Sequence, residues 1–281
     1  MKQLIADSGS TKTEWALVDG NKMQTVFTAG INPVHMTAGE MESILTKEFT
    51  LSVTGIDSVW FYGAGCIPSK CAEVTGVLRR FFGTERIAVD TDLLGAAHSL
   101  FGHRPGVACI LGTGSNSALY DGKQIKHNIP PLGYVLGDEG SGANLGKRLI
   151  GNLLKGFLPP DLTEAFYEAH RLEYAGIIES VYRKPGANRF LADFCPFLYA
   201  HIAHPAIRGI VEQAFSDFVE RNLLPYNGIR ELPISFTGSV AHYFAEPLRA
   251  VLAHYGLAAE QIWQSPMEGL IQYHQHRKQN N

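Results

Sequence analysis

Three stretches of the chain carry residue types whose spacing could support chemistry. In the first, Asp7-Ser8-Gly9-Ser10-Thr11-Lys12-Thr13 lies between two apolar runs, Leu4-Ile5-Ala6 and Trp15-Ala16-Leu17-Val18, and the second run closes at Asp19-Gly20. That order reads as strand, tight turn, strand and hairpin turn, with Asp7 at the tip. A turn of small residues leaves its backbone N–H groups uncovered, in a concavity that suits a phosphate. Ser10, Thr11 and Thr13 add hydroxyl donors, and Lys12 adds a positive charge. Asp7 would repel a phosphate, so a working Asp7 implies a cation between them, most simply a hydrated Mg²⁺. A polar β-hairpin with an aspartate at its bend accounts for the same residues equally well.

The second stretch, Arg86-Ile87-Ala88-Val89 followed by Asp90-Thr91-Asp92 and the apolar run from Leu93 to Phe101, reads as strand, acidic tip and helix. In open α/β folds, ligands gather at the carboxyl ends of strands. Asp92 has two readings. It is a helix N-cap, a role that stabilises a helix by roughly 1 kcal/mol, or it is a base that orients and deprotonates an attacking hydroxyl.

The third stretch repeats the first. Val107-Ala108-Cys109-Ile110-Leu111 is a strand, Gly112-Thr113-Gly114-Ser115-Asn116-Ser117 a small-residue turn, Ala118-Leu119-Tyr120 a strand and Asp121-Gly122 a hairpin turn. The repeat arrives about 100 residues after the first hairpin, the length of one domain rather than of a solenoid unit. Two similar halves presenting one phosphate-cradling hairpin each is the expectation. Further on, Leu132 to Gly142 forms a glycine-rich loop with adjacent Asp138 and Glu139. It reads as a pocket wall with Asp138 touching a sugar or metal, or as an acidic surface loop at a helix N-terminus, where negative charge is favourable.

The elements that must hold these residues follow from the pattern between them. Gln24 to Ala29 is a third strand, which leads through Gly30-Ile31-Asn32-Pro33 into a helix over Glu40 to Phe49. Asn-Pro is an ordinary turn starter. Ser58 to Tyr62 is a strand running into Gly63-Ala64-Gly65, and a helix through Leu78 to Phe82 stops at Gly83. His103-Arg104-Pro105-Gly106 is a polar break that places a domain boundary there. The chain is mostly helical over about 144–224, with Ile207, Ile210, Val211, Ala214, Phe215, Phe218 and Val219 forming a core stripe. Leu232 to Phe236 is a strand, and Thr237-Gly238-Ser239 turns into a helix either against an adenosine or as tight packing. A last helix runs from Pro266 to about Lys278.

With 281 residues, a net charge of −3 and 45% hydrophobic residues, the chain reads as a soluble protein of about two domains, without the basic excess of a nucleic-acid binder. Polar Asp7 to Thr13 interrupts the first apolar run, so neither a signal peptide nor a membrane span is expected, and the expected location is the cytoplasm. Cys66, Cys71, Cys109 and Cys195 are scattered and read as reduced thiols. His35, His170, His201 and His204 lack metal-ligand spacing and read as structural. There is no G-x-x-x-x-G-K-[ST] and no G-x-G-x-x-G after a strand, so a phosphate grip must come from the paired hairpins.

The set Asp7 to Thr13, Thr91-Asp92, Gly112 to Asn116, Gly137-Asp138-Glu139-Gly140-Ser141 and Thr237-Gly238-Ser239 resembles, in that order, the motifs of N-acetylglucosamine kinases. These are BadF/BadG-type ATPases within the superfamily of sugar kinases, actin and heat-shock chaperones. The resemblance spans nearly the whole chain. It implies an α/β fold of two actin-like (ribonuclease H-like) domains with ATP and Mg²⁺ in the cleft between them. The domains would be 1–105, with the helix at about 267–281 packed back on it, and 106–266, with a helical insertion at about 144–224.

By position, the resemblance assigns Gly9, Ser10, Thr11, Lys12, Thr13, Thr113 and Gly114 to the ATP phosphates, Gly238 and Ser239 to the adenosine and Asp7 to hydrated Mg²⁺. Asp92 would be the base, and Asn32, Ser115, Asn116, Gly133 and Asp138 would hold an amino sugar. The implied reaction is ATP-dependent phosphorylation of that sugar, foremost the 6-hydroxyl of N-acetylglucosamine, with glucosamine and N-acetylmuramic acid as other candidates. Relatives commonly carry Gly where Ser8 and Ser10 stand here, and sugar kinases follow the equivalent of Asn32 with His and Trp rather than Pro33 and Val34. The last change removes an aromatic wall. Two rival readings are an ATPase that activates a dehydratase through an iron–sulfur cluster, which needs cysteines beside the glycine turns, and a nucleotide or sugar sensor without chemistry. Apolar stripes in the helical region are compatible with a homodimer.

Overall fold

A computed structural model describes residues 2–276. The chain divides into two compact units, one of Met1–Pro105, Tyr120–Lys126 and Ser265–Asn281, the other of Gly106–Leu119 and His127–Gln264.

Unit 1 begins with an antiparallel meander of β1 (Lys2–Ser8), β2 (Lys12–Asp19) and β3 (Lys22–Ala29). Asp19 pairs with Lys22 across a two-residue loop, and Gly20 at φ 60° supplies the left-handed conformation that such a loop requires. Then come α1 (Ala38–Glu48), β4 (Ser58–Gly63), α2 (Pro68–Phe82), β5 (Ile87–Thr91) and α3 (Asp92–Phe101). The sheet order is β3-β2-β1-β4-β5, with β4 parallel to both β1 and β5. The parallel strands bring the carboxyl ends of β1 and β5 to either side of β4, with Asp7 level with Tyr62 and Thr91 level with Gly63.

Both faces of this sheet are covered, which is why β1 reads as a continuous apolar run. Leu4, Ala6, Trp15 and Leu17 pack on one face with Met41, Leu45, Val77 and Phe82 of α1 and α2. Trp15 is fully buried, rests against Phe49, Phe61 and Phe82, and donates its indole N–H to Thr28 Oγ1 at 3.0 Å.

In unit 2 the same strand order returns. Its elements are β6 (Gly106–Leu111), β7 (Ser115–Tyr120) and β8 (Ile125–Ile129), the last two apart from their residues within Tyr120–Lys126, then α4 (Gly133–Leu136), α5 (Gly142–Leu154), α6 (Pro160–His170), α7 (Tyr174–Tyr182), α8 (Ala187–Ala192), α9 (Cys195–Ala200) and α10 (Pro205–Phe218). A π-helical turn at Val219–Leu223 follows, then β9 (Ile234–Thr237), α11 (Ser239–Tyr243), α12 (Ala245–His254) and β10 (Ala259–Trp263). Its sheet runs β8-β7-β6-β9-β10, the counterpart of β3-β2-β1-β4-β5. The duplicated α/β architecture expected from the two hairpins is therefore present. Helices α5 to α10 bury the stripe of Ile207, Val211, Ala214, Phe215 and Phe218 with Leu145 and Leu149.

The chain returns to unit 1 as α13 (Met267–His276), and the expected end of that helix near Lys278 lies outside the described residues. Met267 and Leu270 pack with Ile5, Ala16, Val18 and Tyr62 on the sheet's second face. The Tyr62 hydroxyl lies 3.1 Å from His98 Nδ1 of α3 and 3.0 Å from His274 Nε2, and the His98 ring stacks on Tyr273 with centroids 4.1 Å apart. That polar contact joins β4, α3 and α13, and so fixes the helix that begins at Asp92.

Within α5, two glycines show opposite constraints. A Cβ on Gly146 would sit 1.8 Å from the Leu191 carbonyl oxygen, whereas one on Gly151 meets nothing within 4 Å. Alanine favours a helix interior over glycine by about 1 kcal/mol, a gain that backbone overlap outweighs at the first position only. Gly151→Ala is expected to raise the urea midpoint modestly and Gly146→Ala to lower it by more. Equal shifts of the same sign in chemical denaturation would contradict this packing of α5 on α8.

Candidate active site

In unit 1 the turn between β1 and β2 closes with the Gly9 N–H donating to the Lys12 carbonyl at 3.0 Å. The exit from β3 crosses this turn so closely that a Cβ on Gly30 would lie 2.3 Å from the Gly9 carbonyl oxygen. Gly9 and Ser10 are half-buried, and Thr11 and Lys12 are exposed, with Lys12 Nζ 4.8 Å from the Phe27 ring centre.

Thr13 differs from its neighbours. It is fully buried, its hydroxyl lies 2.7 Å from Ser8 Oγ, and it donates to the Ala29 carbonyl. Ser8 in turn accepts the Ile31 N–H at 2.9 Å. The hydroxyls of Ser8 and Thr13 therefore hold the third strand onto the hairpin, and the accessible hydroxyls of the turn are those of Ser10 and Thr11.

Asp7 lies at the end of β1, paired with Glu14 on β2. Its carboxyl is pushed up to about 7, first by burial and then by the like charges of Asp92 and Glu14, with Lys12 opposing. The Asp92 carboxyl is pushed up to about 6 by burial, against the N–H of Leu93 that it accepts at 2.9 Å.

The helix-cap reading of Asp92 is corrected here. Thr91 is the N-cap of α3, with its side chain accepting the Leu94 N–H at 3.1 Å, and Asp92 is the first helical residue. The Asp92 carboxyl accepts the Leu93 N–H and its own backbone N–H, and no other residue's side chain is among the causes of its shift. The threonine does the capping, and the aspartate is bonded only by N–H groups at the start of its own helix.

These carboxylates suit a divalent cation held mainly by its other ligands. Asp7 stands beside two more acids, yet no group of three or more His, Cys, Asp or Glu residues among those described could itself cage a metal. One carboxylate completed by water and phosphate oxygens is the arrangement Mg²⁺ favours.

Asn32 is half-buried in the loop after β3, and its Oδ1 accepts the Val34 N–H at 3.0 Å. Gly65, at φ 75°, leaves it room, since a Cβ there would lie 2.1 Å from that oxygen. The Gly63-Ala64-Gly65 turn thus serves the close approach of Asn32 rather than standing open.

Unit 2 builds its hairpin turn differently. The Gly112 N–H donates to the Gly114 carbonyl, while the carbonyls of Gly112 and Thr113 accept the N–H groups of Gly142 and Ala143. The first turn of α5 therefore docks on the loop, with Ser141 capping Asn144 at 3.1 Å. Docking satisfies helix N–H groups that would otherwise lack partners.

Asp138 packs over that loop. Its Oδ1 accepts the Ser115 N–H at 3.3 Å, and a Cβ on Gly114 would come within 3.2 Å of Oδ2. It is 9% exposed at φ 53°, an uncommon conformation for a residue other than glycine. Burial pushes its carboxyl up to about 6, with the Ser115 N–H and Lys147 opposing and Glu139 adding. The acidic surface loop is thereby corrected, because Glu139 too is turned inward to Arg221 Nη1 at 3.4 Å and Asn222 Nδ2 at 3.3 Å.

Asn116 Oδ1 accepts N–H groups from Ser117 and Asn128, and Gly133 is exposed at the start of α4. Gly238, at φ 118°, passes so near β6 that a Cβ would lie 2.3 Å from the Leu111 carbonyl oxygen. Tight packing therefore requires this glycine, and Ser239 beside it is exposed.

Unit 1 thus brings together Asp7, Asp92 and the Gly9 to Lys12 turn, and unit 2 brings together Thr113, Gly114, Ser115 and Asp138. Sequence reasoning passed over Glu14, Arg221 and Asn222, and it named Glu139 without its partners. Strand register would have exposed the first. The others depend on the π-helical turn at Val219–Leu223, a feature often found at functional sites.

No protein-family profile matches the chain, and no curated protein matches it either. Solved structures do. The crystal structure of a "putative N-acetylglucosamine kinase" from Porphyromonas gingivalis aligns with a TM-score of 0.95 at 48% identity, over 98% of this chain and 99% of that one. A protein of the same description from Chromobacterium violaceum aligns with a TM-score of 0.73 at 20% identity, over 97% and 98%. A ROK family glucokinase from Streptomyces griseus, in complex with glucose and AMPPNP, gives 0.56 at 13%, again over 97% and 98%. These last two show a shared fold. At 48% identity over nearly the whole of both chains, the protein belongs to the family of the Porphyromonas gingivalis protein, the N-acetylglucosamine kinase-like members of the BadF/BadG-type ATPases.

Proposed function

We propose that the protein is a sugar kinase that transfers the γ-phosphoryl group of ATP to an amino sugar, at the 6-hydroxyl of N-acetylglucosamine. The observation that carries this reading is Asp92, a carboxylate relieved of capping by Thr91 and standing next to Asp7 at the carboxyl ends of parallel strands. The 48% identical relative bears the matching name.

Phosphoryl transfer asks the protein to align donor and acceptor and to neutralise charge. In this reading the Gly9 to Lys12 turn with the hydroxyls of Ser10 and Thr11 and the Lys12 ammonium, and Thr113 with Gly114, receive the ATP phosphates. Thr13 acts behind them by fixing the turn. Gly238 and Ser239 are assigned to the adenosine. Asp7 would hold a hydrated Mg²⁺, which supplies charge neutralisation on the phosphates when bound.

Asn32, Ser115, Asn116, Gly133 and Asp138 are assigned to sugar hydroxyls and the acylamino group. Asp92 accepts the proton of the attacking hydroxyl as the oxygen–phosphorus bond forms, and ADP leaves with the bridging oxygen. Near neutral pH a carboxyl held at about 6 is mainly ionised yet basic enough to take that proton.

Asp92→Asn is expected to lower kcat by about 10²–10⁴ while the sugar still binds, measured by ADP release and by sugar titration of the variant. Near wild-type turnover would remove Asp92 from the chemistry. For Asp7, a carboxyl near 7 must lose its proton before it can help bind a cation. The apparent Mg²⁺ requirement should therefore rise as pH falls through 7 toward 6, and Asp7→Asn should flatten that dependence. A Mg²⁺ requirement independent of pH in the wild type would contradict the assignment.

A further inference from the structure

Unit 2 contains a cavity of about 550 Å³ between α5 and α10 that none of the residues assigned above lines. Its lining includes Lys147, Arg148 and Lys155, and no lining residue is acidic. Arg148 is spent on Asp217 and on Asn144 Oδ1, so the positive charge of the groove comes from the two lysines, of which Lys147 also acts on Asp138. Lys147 gives one N–H to the Tyr134 carbonyl at 3.0 Å, which leaves two of its three donors.

The floor is open because glycines form it. A Cβ on Gly151 or Gly209 would meet nothing within 4 Å, so helix backbone is accessible there. At the rim stands Phe157, 71% exposed. Phe157 and the Lys147 and Lys155 ammonium groups line the same groove. On a chain whose net charge is −3, this local positive charge also stands against the general field.

We propose that this groove is a binding site, separate from the reaction site, for a phosphorylated sugar. Lys147 and Lys155 take the phosphate, and Phe157 covers the apolar face of the sugar ring. Charge complementarity selects an anion, and the aromatic rim selects a ring with an apolar face over a bare ion. The choice of a sugar ring rests on the kinase reading given above, whose product is a phosphomonoester of a sugar. Because Lys147 also holds the Tyr134 carbonyl in the segment leading to Asp138, an occupied groove acts on the loop that carries Asp138.

The test is hydrogen–deuterium exchange of the full chain with glucosamine 6-phosphate, glucosamine, inorganic phosphate or AMP at matched ionic strength. Exchange over 147–157 and 205–213 should slow with glucosamine 6-phosphate and much less with the other three. Lys155→Glu and Phe157→Ala, both at exposed positions, should each weaken that protection at least tenfold in apparent Kd while leaving kinase turnover unchanged.

No slowing at millimolar glucosamine 6-phosphate, equal slowing by inorganic phosphate or AMP, or protection untouched by both substitutions would overturn the proposal. Turnover lost in both variants would overturn the separation from the reaction site. The readout is local exchange rather than catalysis. A protein that fails to phosphorylate any sugar but protects the groove refutes the kinase reading alone, and an active kinase with an unprotected groove refutes the site alone.

Discussion

Asp7 and Asp92 repel each other, and the structure holds them together nonetheless. Two carboxylates at the ends of strands flanking β4, with Glu14 paired across from the first, cannot all be ionised in a partly desolvated setting without some compensation. The pair is kept in place by what surrounds it. Ser8 and Thr13 pin the third strand to the hairpin, Thr91 takes over the capping of α3, and the Tyr62 contact with His98 and His274 fixes that helix on the sheet. With both carboxyls pushed upward by burial, the pair has reason to take up a cation or a proton.

Unit 2 reaches a comparable result by another route. Its strand order matches that of unit 1, but its hairpin turn is stiffened from outside by the N-terminus of α5, whose first N–H groups use the carbonyls of Gly112 and Thr113. The backbone N–H of Ser115 is thereby free to point at Asp138. Asp138 adopts a left-handed conformation that a glycine would adopt at less cost, and it keeps a side chain there. Glu139, Arg221 and Asn222 brace the loop from the π-helical turn. In both units the acids sit on backbone that neighbouring elements over-determine, which is what positioning a reactive group demands.

Much of this was legible in the sequence because local patterns suffice for it. The two hairpins, their Asp-Gly closures, the end of α2 at Gly83 and the duplicated layout follow from period-two runs and turn residues. Boundaries shifted where the pattern fades, as with β3, which begins at Lys22 rather than near Gln24, and α1, which begins at Ala38 rather than near Glu40. The two readings of Asp92 stay open in the sequence because Thr91 and Asp92 are both good caps, and only the backbone dihedrals decide between them. The burial of Asp138 depends on Ser115, 23 residues earlier, and Glu14 acquires meaning only when strand register sets it opposite Asp7. The π-helical turn leaves no periodic trace in sequence. Gly238 shows the limit on the other side, since the residue stands where an adenosine was expected while its conformation is already required by β6.

The central claim, that these acids serve transfer of a phosphoryl group to a sugar hydroxyl rather than hydrolysis or mere binding, is tested most directly by phosphorus NMR of the products. The protein is mixed with ATP, Mg²⁺ and N-acetylglucosamine, with parallel samples containing glucosamine, N-acetylmuramic acid or no sugar. The account predicts a new phosphomonoester resonance, split by two methylene protons, that grows in step with ADP in the N-acetylglucosamine sample and is absent without sugar. Inorganic phosphate appearing at the same rate in every sample, or ATP left intact in all of them, would contradict it.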